Sequence, residues 1–360
     1  MITSSSFSKL ALDWFEENQR QLPWRGETDP YKIWVSEIIL QQTRVNQGWD
    51  YYLRFIDRFP DVKSLAAAPL QDVLHVWQGL GYYTRARNMH AAAQQIMQEH
   101  HGVFPHHYLE IKKLKGVGDY TAAAVASIAF RLPYPAVDGN VLRVITRIFG
   151  IYDDIAQQKT VQKITQLCET LMDKENPGIF NQTLMELGAI QCTPKNPNCE
   201  TCPFASQCVA LAKNQTDLLP FKSLKIKVKE RFFHFFIFIK EGKTIIEQRT
   251  ANDIWKNLFQ FPMIETETFC EKIPAKELLK AGFGNPKPVF LKEIKHKLTH
   301  QHLTIRFYVV SDYFPEVKQN WISVSMEDLK NYPFPVALNK QNFYSFTQCT
   351  EKHQVAITKR

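Results

Sequence analysis

The spacing of apolar residues divides the chain into two parts with different sequence patterns. Over residues 7–212, apolar positions recur every three or four residues, and Pro or Gly punctuates this pattern, which is typical of amphipathic helices. After residue 230, the runs FFHFFIFI, KTIIEQ and HLTIRFYVVS are rich in β-branched and aromatic residues, which favours strands. A helical pattern near residues 275–281 interrupts them. The pattern predicts a mostly α N-terminal domain and an α+β C-terminal domain.

A Lys-rich, mostly polar segment separates these two parts. Residues 213–230 (KNQTDLLPFKSLKIKVKE) contain one proline and few large apolar side chains, which indicates an interdomain connector. We therefore expect a helical domain at 1–212, a connector at 213–230, a second domain at 231–350 and a loose tail at 351–360. A chain of 360 residues is long enough for each domain to bury its own core.

Composition places the chain among globular proteins and bears on its partner. Apolar residues make up 44% and charged residues 22% of the sequence, and no run approaches the roughly 20 apolar residues that span a bilayer. The first eight residues lack a basic-then-apolar signal pattern, so we expect a cytoplasmic protein whose thiols stay reduced. A net charge of +8 suits a polyanionic partner, although many basic proteins bind no nucleic acid.

Four of the seven cysteines lie within 17 residues of one another: Cys192, Cys199, Cys202 and Cys208. Their spacing is C-x6-C-x2-C-x5-C, and they follow a helical pattern that ends near residue 190. Under reducing conditions such a cluster indicates a soft metal centre rather than disulfides. Both iron-sulfur clusters and zinc are held by four cysteines. Zinc sites, however, usually show two short CxxC knuckles, and only one occurs here.

A glycine-containing turn precedes an Ala-rich helical pattern in LKGVGDYTAAAVASIAF, where we expect the helix to open at Thr121. Gly116 and Gly118 can adopt positive φ and let another backbone approach closely. Together with the N-terminus of the next helix, their amide groups would form an anion site suited to phosphate. A plain connection between two packed helices is the alternative, which GxG alone does not exclude. Three nearby lysines favour the phosphate site: Lys112, Lys113 and Lys115.

The segment YKIWVSEIILQQTRV, after Pro30, predicts a strong helix with a carboxylate in its apolar stripe. Residues at i, i+3, i+4, i+7 and i+11 would share one face: Trp34, Glu37, Ile38, Gln41 and Val45. If that face is buried, desolvation raises the pKa of Glu37 and produces a proton donor near neutral pH. The alternative is a glutamate at the margin of the stripe, paired with Arg or Lys.

A second carboxylate lies in different surroundings. In YPAVDGNVLRVITRIFG, Asp138 directly precedes a helical pattern, and at this N-cap position backbone donors and the helix dipole favour the ionised form. A purely structural cap is the alternative. One carboxyl that tends towards neutral and one that stays anionic form the pair needed to break a glycosidic bond through an oxocarbenium-like state. The combination of Glu37 and Asp138, rather than either residue alone, therefore favours glycosidic bond cleavage.

Six motifs, in this order, resemble those of the helix-hairpin-helix base-excision DNA glycosylases, and specifically the MutY family. They are LPWR at 22–25, DPYKIWVSEIILQQTRV at 29–45, WQGLGYYTRARN at 77–88, LKGVGDYTA at 114–122, VDGN at 137–140 and the cysteine cluster. The resemblance covers about the first 210 residues. It implies a DNA-binding cleft, a [4Fe-4S] cluster on the four cysteines and a target adenine that is flipped into a pocket.

The resemblance also implies roles for individual residues. Glu37 would protonate N7 of adenine, and Asp138 would stabilise or capture the sugar cation at C1′ before water completes the hydrolysis. Tyr120 and Asn140 would orient the acid and the anion. Gly116 and Gly118 would hold phosphates, and other residues would contact the adenine or the disrupted base stack: Arg25, Leu40, Gln41, Gln42, Tyr82 and Gln182.

Position 120 separates two branches of this superfamily. Endonuclease III-like relatives carry a lysine there as the amine nucleophile for strand cleavage, whereas this chain has Tyr120. The lyase branch also lacks an acid at the place of Glu37. The resemblance therefore implies a monofunctional adenine DNA glycosylase. The alternatives are an endonuclease III-like glycosylase/lyase for oxidised pyrimidines and a non-catalytic iron-sulfur DNA-binding protein.

The C-terminal pattern resembles the Nudix-like domain of the MutY family. Because the Nudix hydrolase motif, G-x5-E-x7-REUXEE, is absent, the resemblance implies a reader of 8-oxoguanine rather than a second enzyme. The family's Phe-Ser-His loop corresponds to Leu298, Thr299 and His300, which keep a hydroxyl but lose an aromatic face. An ordinary hairpin is the alternative. We expect a nucleoid-associated monomer that binds duplex DNA with adenine opposite 8-oxoguanine or guanine.

Overall fold

The computed structural model describes residues 3–223, 227–316 and 318–338. These residues divide into two compact units, a helical unit (3–68 and 84–223) and a mixed unit (69–83, 227–316 and 318–338). The expected tail at 351–360, the end of the expected second domain and residues 224–226 of the expected connector lie outside the described residues. Among the described helices, none has the length and apolar character that crossing a bilayer requires.

The helical unit contains no strand among its described residues, in agreement with the three-to-four residue periodicity. One of its helices, at residues 177–186, continues as a π-helical turn over residues 187–191. In chain order the helices are α1 (Ser4–Asn18), α2 (Pro30–Leu40), α3 (Val45–Arg58), α4 (Val62–Ala67), α5 (Leu70–Val76), α6 (Thr84–Glu99), α7 (Tyr108–Lys113), α8 (Asp119–Phe130), α9 (Gly139–Phe149), α10 (Gln158–Leu171), α11 (Pro177–Glu186), α12 (Val209–Ala212) and α13 (Ala275–Lys280). Of these, α5 and α13 belong to the mixed unit.

The predicted helix of residues 31–45 is interrupted. α2 ends at Leu40, Gln42 has a φ of 55°, and α3 begins at Val45. The side chain of Arg85 explains the break, because its Nη1 donates to three backbone carbonyls at the end of α2 at 2.6 to 3.0 Å. The prediction of one continuous face from Trp34 to Val45 was therefore wrong, since the left-handed turn at Gln42 redirects the chain.

The core of the helical unit joins α1 and α9–α11 to the cysteine segment. Apolar side chains from these helices are fully buried together, among them Phe7, Ile145 and Phe180. Phe204, which lies between two cysteines in sequence, stacks on Phe7 with ring centroids 4.7 Å apart. The cysteine segment is thus packed into the same core as the N-terminal helix and is not a peripheral loop.

The mixed unit is built on one sheet. Its strands are β1 (Lys229–Lys240), β2 (Lys243–Gln248), β3 (Phe259–Gln260), β4 (Met263–Thr266), β5 (Val289–Lys297), β6 (Gln301–Ser311) and β7 (Trp321–Ser325). The strand order is β3-β2-β1-β6-β5, and β1 also pairs with β4 and β2 with β7. β1 and β6 are parallel, whereas the other pairs are antiparallel. The core of this unit holds Phe236, Phe238, Tyr308 and Trp321, with Leu278 of α13 packed against them.

Candidate active site

A cavity of about 670 Å³ in the helical unit contains both candidate carboxylates. Glu37 enters it from α2, and Asp138 enters it from the residue before α9. Ligand sites typically measure about 300–1,000 Å³, so the cavity is large enough for a nucleobase. Other residues singled out from the sequence also line it: Arg25, Leu40, Gln41, Gln42, Gly118, Tyr120, Asn140 and Gln182.

Glu37 is a buried carboxyl with one strong hydrogen-bond donor. Its side chain lies on α2 in a residue that is 8% exposed, and the hydroxyl of Tyr120 donates to its Oε2 at 2.6 Å. Burial raises the pKa of Glu37 to about 7, and the charge of Asp138 acts in the same direction. The hydrogen bond from Tyr120 and the charge of Arg25 oppose this rise. Near neutral pH, Glu37 therefore exists in both its protonated and its ionised form.

Asp138 caps α9 with one oxygen and binds a side chain with the other. Its Oδ1 accepts from the backbone N–H groups of Asn140 and Val141 at 2.9 and 2.8 Å, and its Oδ2 accepts from Nδ2 of Asn140 at 2.7 Å. These donors favour the ionised form, as expected for a cap. Burial nevertheless outweighs them and raises the pKa of Asp138 above its ordinary value. The expectation that the cap position would decide the ionisation of Asp138 thus left out the effect of burial.

Arg143 connects the Asp138 cap to the cysteine segment, and sequence reasoning missed it. Its Nη2 donates to Oδ1 of Asn140 at 2.9 Å and to the carbonyl of Gly188 at 2.7 Å, while its Nε donates to the carbonyl of Cys192 at 2.7 Å. At Gly188, a Cβ atom would lie 2.5 Å from Cβ of Asn140, so only glycine allows this approach. The only sequence signal was an arginine one helical turn after Asn140 in a largely buried helix.

Two candidate base contacts, Arg25 and Gln182, touch each other inside the cavity. Nη1 of Arg25 donates to Oε1 of Gln182 at 2.6 Å. Glu186 also binds Arg25, with 3.1 Å between Oε2 and Nη2, although the sequence did not single it out. Gln182 and Glu186 are four residues apart on α11 and therefore share a face. This spacing is the signal from which Glu186 could have been found.

The end of α2 supplies three further candidates. Leu40 is its last residue, and Gln41 and the left-handed Gln42 follow it at the rim of the same cavity. Nε2 of Gln41 donates to the Thr121 hydroxyl at 3.1 Å, which ties the end of α2 to α8. Gln41 and Gln42 therefore line the cavity from the non-helical segment that follows α2.

The glycine turn differs from its prediction in two details. Gly116 has a φ of 78°, but Gly118 has a φ of −97°, so only Gly116 needs the left-handed region. α8 begins at Asp119, with Gly118 as its N-cap, rather than at Thr121. At Gly116, a Cβ atom would lie 2.5 Å from the Asn88 side chain, so this glycine allows a close approach to α6.

The lysines beside this turn are not equivalent. Lys112 forms an ion pair with Asp119, which neutralises its charge locally. Lys113 and Lys115 are exposed, and none of the ion pairs among the described residues includes them. The positive charge available to a phosphate at the turn therefore comes from Lys113 and Lys115 and from the N-terminus of α8.

Tyr82, Thr299 and His300 all belong to the mixed unit. Leu298, Thr299 and His300 connect the antiparallel strands β5 and β6, so the segment is a hairpin loop. The hydroxyls of Tyr82 and Thr299 lie 2.6 Å apart. Tyr82 is 47% exposed, and Thr299 and His300 are exposed as well. The structure thus joins two candidates that were chosen from segments more than 200 residues apart.

The four clustered cysteines line a second, small cavity beneath α9. Nη1 of the buried Arg147 donates to Sγ of Cys192 at 3.3 Å and to the carbonyl of Thr193 at 2.8 Å. All four candidate ligands are thus brought to one cavity, although they are spread over 17 residues of the sequence.

Comparison with known families matches three parts of the chain. Residues 35–170 match the HhH-GPD superfamily of base excision DNA repair proteins, and residues 234–341 match the NUDIX domain. Residues 192–208 match the iron-sulfur binding domain of endonuclease III, and these bounds coincide with the first and last clustered cysteine. The expected helix-hairpin-helix and Nudix-like folds and the expected [4Fe-4S] cluster are therefore confirmed.

Individual relatives extend over most of the chain. The adenine DNA glycosylase of Buchnera aphidicola subsp. Schizaphis graminum is 36% identical over 329 residues, which cover 90% of this chain and 93% of the relative. The adenine DNA glycosylase of Buchnera aphidicola subsp. Acyrthosiphon pisum is 33% identical over 345 residues, which cover 95% of this chain and 99% of the relative. Among solved structures, a thermostable thymine-DNA glycosylase superposes with a TM-score of 0.54 at 29% identity, over 58% of this chain and 97% of that one.

Proposed function

The chain belongs to the adenine DNA glycosylase family of base excision repair, and from this premise we propose that it hydrolyses the N-glycosidic bond of adenine opposite 8-oxoguanine or guanine in duplex DNA. Glu37 and Asp138 carry the proposal, because a carboxyl with a pKa of about 7 and a hydrogen-bonded second carboxyl line one cavity of nucleobase size. Flipping the adenine into this cavity costs a few kcal/mol of unstacking, which contacts to the base and the strand must offset.

The reaction begins with proton transfer from neutral Glu37 to N7 of the flipped adenine. As the C1′–N9 bond breaks, its electron pair leaves with the base, which departs as neutral adenine. The carboxylate of Asp138 stabilises or captures the positive charge that develops at C1′. A water molecule then forms the new bond at C1′, and its proton passes to a carboxylate of the pair.

Neighbouring residues hold the two carboxyls in these roles. The Tyr120 hydroxyl fixes the position of one Glu37 oxygen, which leaves the other oxygen for the base. Asn140 holds Asp138, and Arg143 holds Asn140 against the cysteine segment. When bound, the [4Fe-4S] cluster crosslinks the cysteine segment through its iron-sulfur bonds. Arg143 therefore links Asp138, through Asn140, to the segment whose four cysteines would hold the cluster.

The absence of an amine at the cavity supports a monofunctional enzyme. Tyr120 occupies the position of the lyase lysine, and no lysine is found among the residues that line the described cavity. Schiff-base chemistry needs a primary amine that reaches C1′. We expect sodium borohydride to trap no covalent complex between the protein and substrate DNA, with an endonuclease III-type lyase as the positive control. Trapping as efficient as that of the lyase would favour the glycosylase/lyase alternative.

The exposed hydroxyl pair of Tyr82 and Thr299 supports recognition of the base opposite adenine. Each hydroxyl carries one proton, and the bond between them uses one of the two, so the pair keeps acceptor capacity and one donor at most for a purine edge. The hairpin between β5 and β6 presents Thr299 to solvent. Because Leu298 offers no aromatic face for stacking, we assign the preference for 8-oxoguanine to hydrogen bonding by this loop. The turn at Gly116 and the N-terminus of α8 would hold the phosphates of the strand.

Thr299→Val is expected to lower the preference for adenine opposite 8-oxoguanine over adenine opposite guanine by about fivefold, the value of one net hydrogen bond. Valine has the shape of threonine but cannot form a hydrogen bond with the base. Single-turnover rates and duplex affinities on the two mispairs measure the preference. Thr299→Ser, which restores the hydroxyl, is the control and should retain it. If the valine variant preferred 8-oxoguanine over guanine as strongly as the wild type, Thr299 would have no role in recognition of the lesion.

Tyr120→Phe should shift the alkaline limb of the pH–rate profile to higher pH. The wild-type rate is expected to fall above pH about 7, where Glu37 loses the proton that it donates. The hydrogen bond from Tyr120 lowers the pKa of Glu37, so its loss raises that pKa and extends the protonated form to higher pH. Single-turnover rates between pH 5.5 and about 9 measure the limb. A limb that stays in place or moves down would contradict the assignment of Glu37 as the acid.

A further inference from the structure

Glu186 is a buried carboxylate that the proposed mechanism does not use. It is the last residue of α11, is 4% exposed and lines the cavity. Its Oε1 accepts from the backbone N–H and Nε of Arg20 at 3.0 and 2.7 Å, and its Oε2 accepts from Nη2 of Arg20 at 2.9 Å and from Nη2 of Arg25 at 3.1 Å. Burial opposes its ionisation, but Arg20 and Arg25 hold its pKa below the usual range. Glu186 is therefore an anion between two guanidinium groups.

Arg25 is held from three sides. Nη2 binds Glu186, Nη1 donates to Gln182, and the guanidinium carbon lies 5.0 Å from the centre of the Phe15 ring. A planar guanidinium that is restrained at two nitrogens and on one face has a fixed orientation. Its Nε is buried and has no partner among the described residues, so these contacts leave part of its hydrogen-bonding capacity unused.

The contact with Arg25 also fixes the polarity of Gln182. A guanidinium has only donors, so the atom of Gln182 that meets Nη1 must be the amide oxygen. The amide NH2 group is then the part of Gln182 that remains for a ligand in the cavity. The ring nitrogens N1, N3 and N7 of adenine are acceptors, and Gln182 in this orientation offers a donor to them. Glu186 thus orients Gln182 indirectly, through Arg25.

The charges in this corner of the cavity also act on Glu37. Arg25 lowers the pKa of Glu37, against the rise caused by burial. In the structure, Arg25 is bound to Glu186, whose carboxylate compensates the positive charge of the guanidinium. Without that carboxylate, a buried guanidinium would need another anion. The remaining carboxyls that line the cavity are Glu37, Asp119 and Asp138, of which Asp119 is already paired with Lys112 and Glu37 already interacts with the charge of Arg25. An opposite charge within about 4–6 Å lowers a carboxyl pKa by roughly 1–3.

We propose that Glu186 is a positioning residue of the base pocket, which holds Arg25 against Gln182 and keeps it from pairing with the proton donor Glu37. The inference rests on the proposed function, because it takes Glu37 as the acid. In this arrangement Arg20 secures Glu186, Glu186 secures Arg25, and Arg25 presents Gln182 to the adenine. The carboxylate of Glu186 thus has two roles. It orients the residues that contact the base, and it helps to keep Glu37 protonated.

Glu186→Gln in the full-length, cluster-loaded protein tests this role through the pH dependence of single-turnover adenine release. We expect the alkaline limb of the variant to lie about one pH unit or more below that of the wild type, which makes release about tenfold slower at alkaline pH. The difference in rate between the variant and the wild type should become smaller towards acidic pH. A limb that coincides with that of the wild type would overturn the proposal. A rate loss that is uniform at every pH would overturn it too, since that is the result of a merely structural defect.

A double-mutant cycle with Arg25→Gln shows whether Glu186 acts through Arg25. Arg25→Gln alone should move the limb up, because it removes a charge that lowers the pKa of Glu37. Adding Glu186→Gln to this variant should not move the limb further. The same downward displacement in both backgrounds would show that Glu186 acts on Glu37 without Arg25, and the proposal would be wrong.

Folding of each variant is checked by thermal unfolding and by the visible absorbance of the cluster. If Glu186→Gln does not fold, the test rests on Arg25→Gln alone. An alkaline limb of its pH–rate profile that coincides with that of the wild type would contradict the coupling between Arg25 and Glu37, on which the proposal depends. Glu37→Gln separates this inference from the proposed function. If Glu37→Gln is inactive and Glu186→Gln keeps the wild-type limb, only the role of Glu186 fails. If Glu37→Gln is fully active, the acid assignment itself fails.

Discussion

Glu37→Gln is expected to slow adenine release by at least about 100-fold, since general acid catalysis typically contributes 10²–10⁴ in rate. Glutamine has nearly the shape of glutamic acid and can still accept the hydrogen bond from Tyr120, but it cannot donate a proton to N7. Single-turnover release from a duplex with adenine opposite 8-oxoguanine measures the effect without interference from product release. An unchanged rate would leave the buried carboxyl with a structural role only.

The stability of Glu37→Gln is a control against simple unfolding. Folding raises the pKa of Glu37 from 4.5 to about 7, so its ionisation opposes folding at any pH above 4.5, and the penalty is fully present above about 7. The penalty at alkaline pH corresponds to about 3 kcal/mol. Because the glutamine variant lacks it, its thermal unfolding temperature should exceed that of the wild type at pH 8, while the two should be similar near pH 4.5. Loss of activity together with gain of stability cannot result from misfolding.

Asp138→Asn is expected to slow release by about 10²–10³, the usual effect of removing one preorganised electrostatic contact to a developing charge. Asparagine is as good an N-cap as aspartate, so α9 should remain intact. The variant therefore separates the charge of Asp138 from its capping role. Single-turnover release on the same duplex measures the rate, and circular dichroism with the visible absorbance of the cluster monitors the fold.

Asp61→Asn provides a matched control in the same unit. Asp61 caps α4 and accepts from the backbone N–H of Ser64 at 2.7 Å, and it does not line the cavity. If Asp138 were only a cap, the two substitutions would have similarly small effects on adenine release. A rate loss confined to Asp138→Asn would assign the effect to an anion beside C1′.

Features with a local cause could be predicted from the sequence. Asp29 and Pro30 mark the start of α2, Asp138 marks the start of α9, and the cysteine spacing marks the cluster segment, because each signal and its effect lie within a few residues. The β-branched and aromatic runs likewise correspond to β1, β2 and β6. The burial of Glu37 followed from its place in an apolar stripe within a single helix.

Features that depend on remote residues could not be predicted in this way. The end of α2 is set by Arg85, more than 40 residues away, and the Asp138 cap is braced from the cysteine segment through Arg143. Glu186 and Thr299 acquire their contacts with Arg20, Arg25 and Tyr82 only in the folded chain. Apolar periodicity indicates which face of an element is buried, but it carries no information about which remote side chain that face meets.

The most direct test of the central claim is single-turnover excision of 7-deazaadenine opposite 8-oxoguanine. This base carries a C–H group at position 7, so it can stack and flip like adenine but cannot accept a proton there. If Glu37 acts on N7, the wild-type protein should bind this duplex and excise the analogue no faster than Glu37→Gln excises adenine. Excision of 7-deazaadenine at the rate of adenine would contradict proton donation from Glu37 to N7.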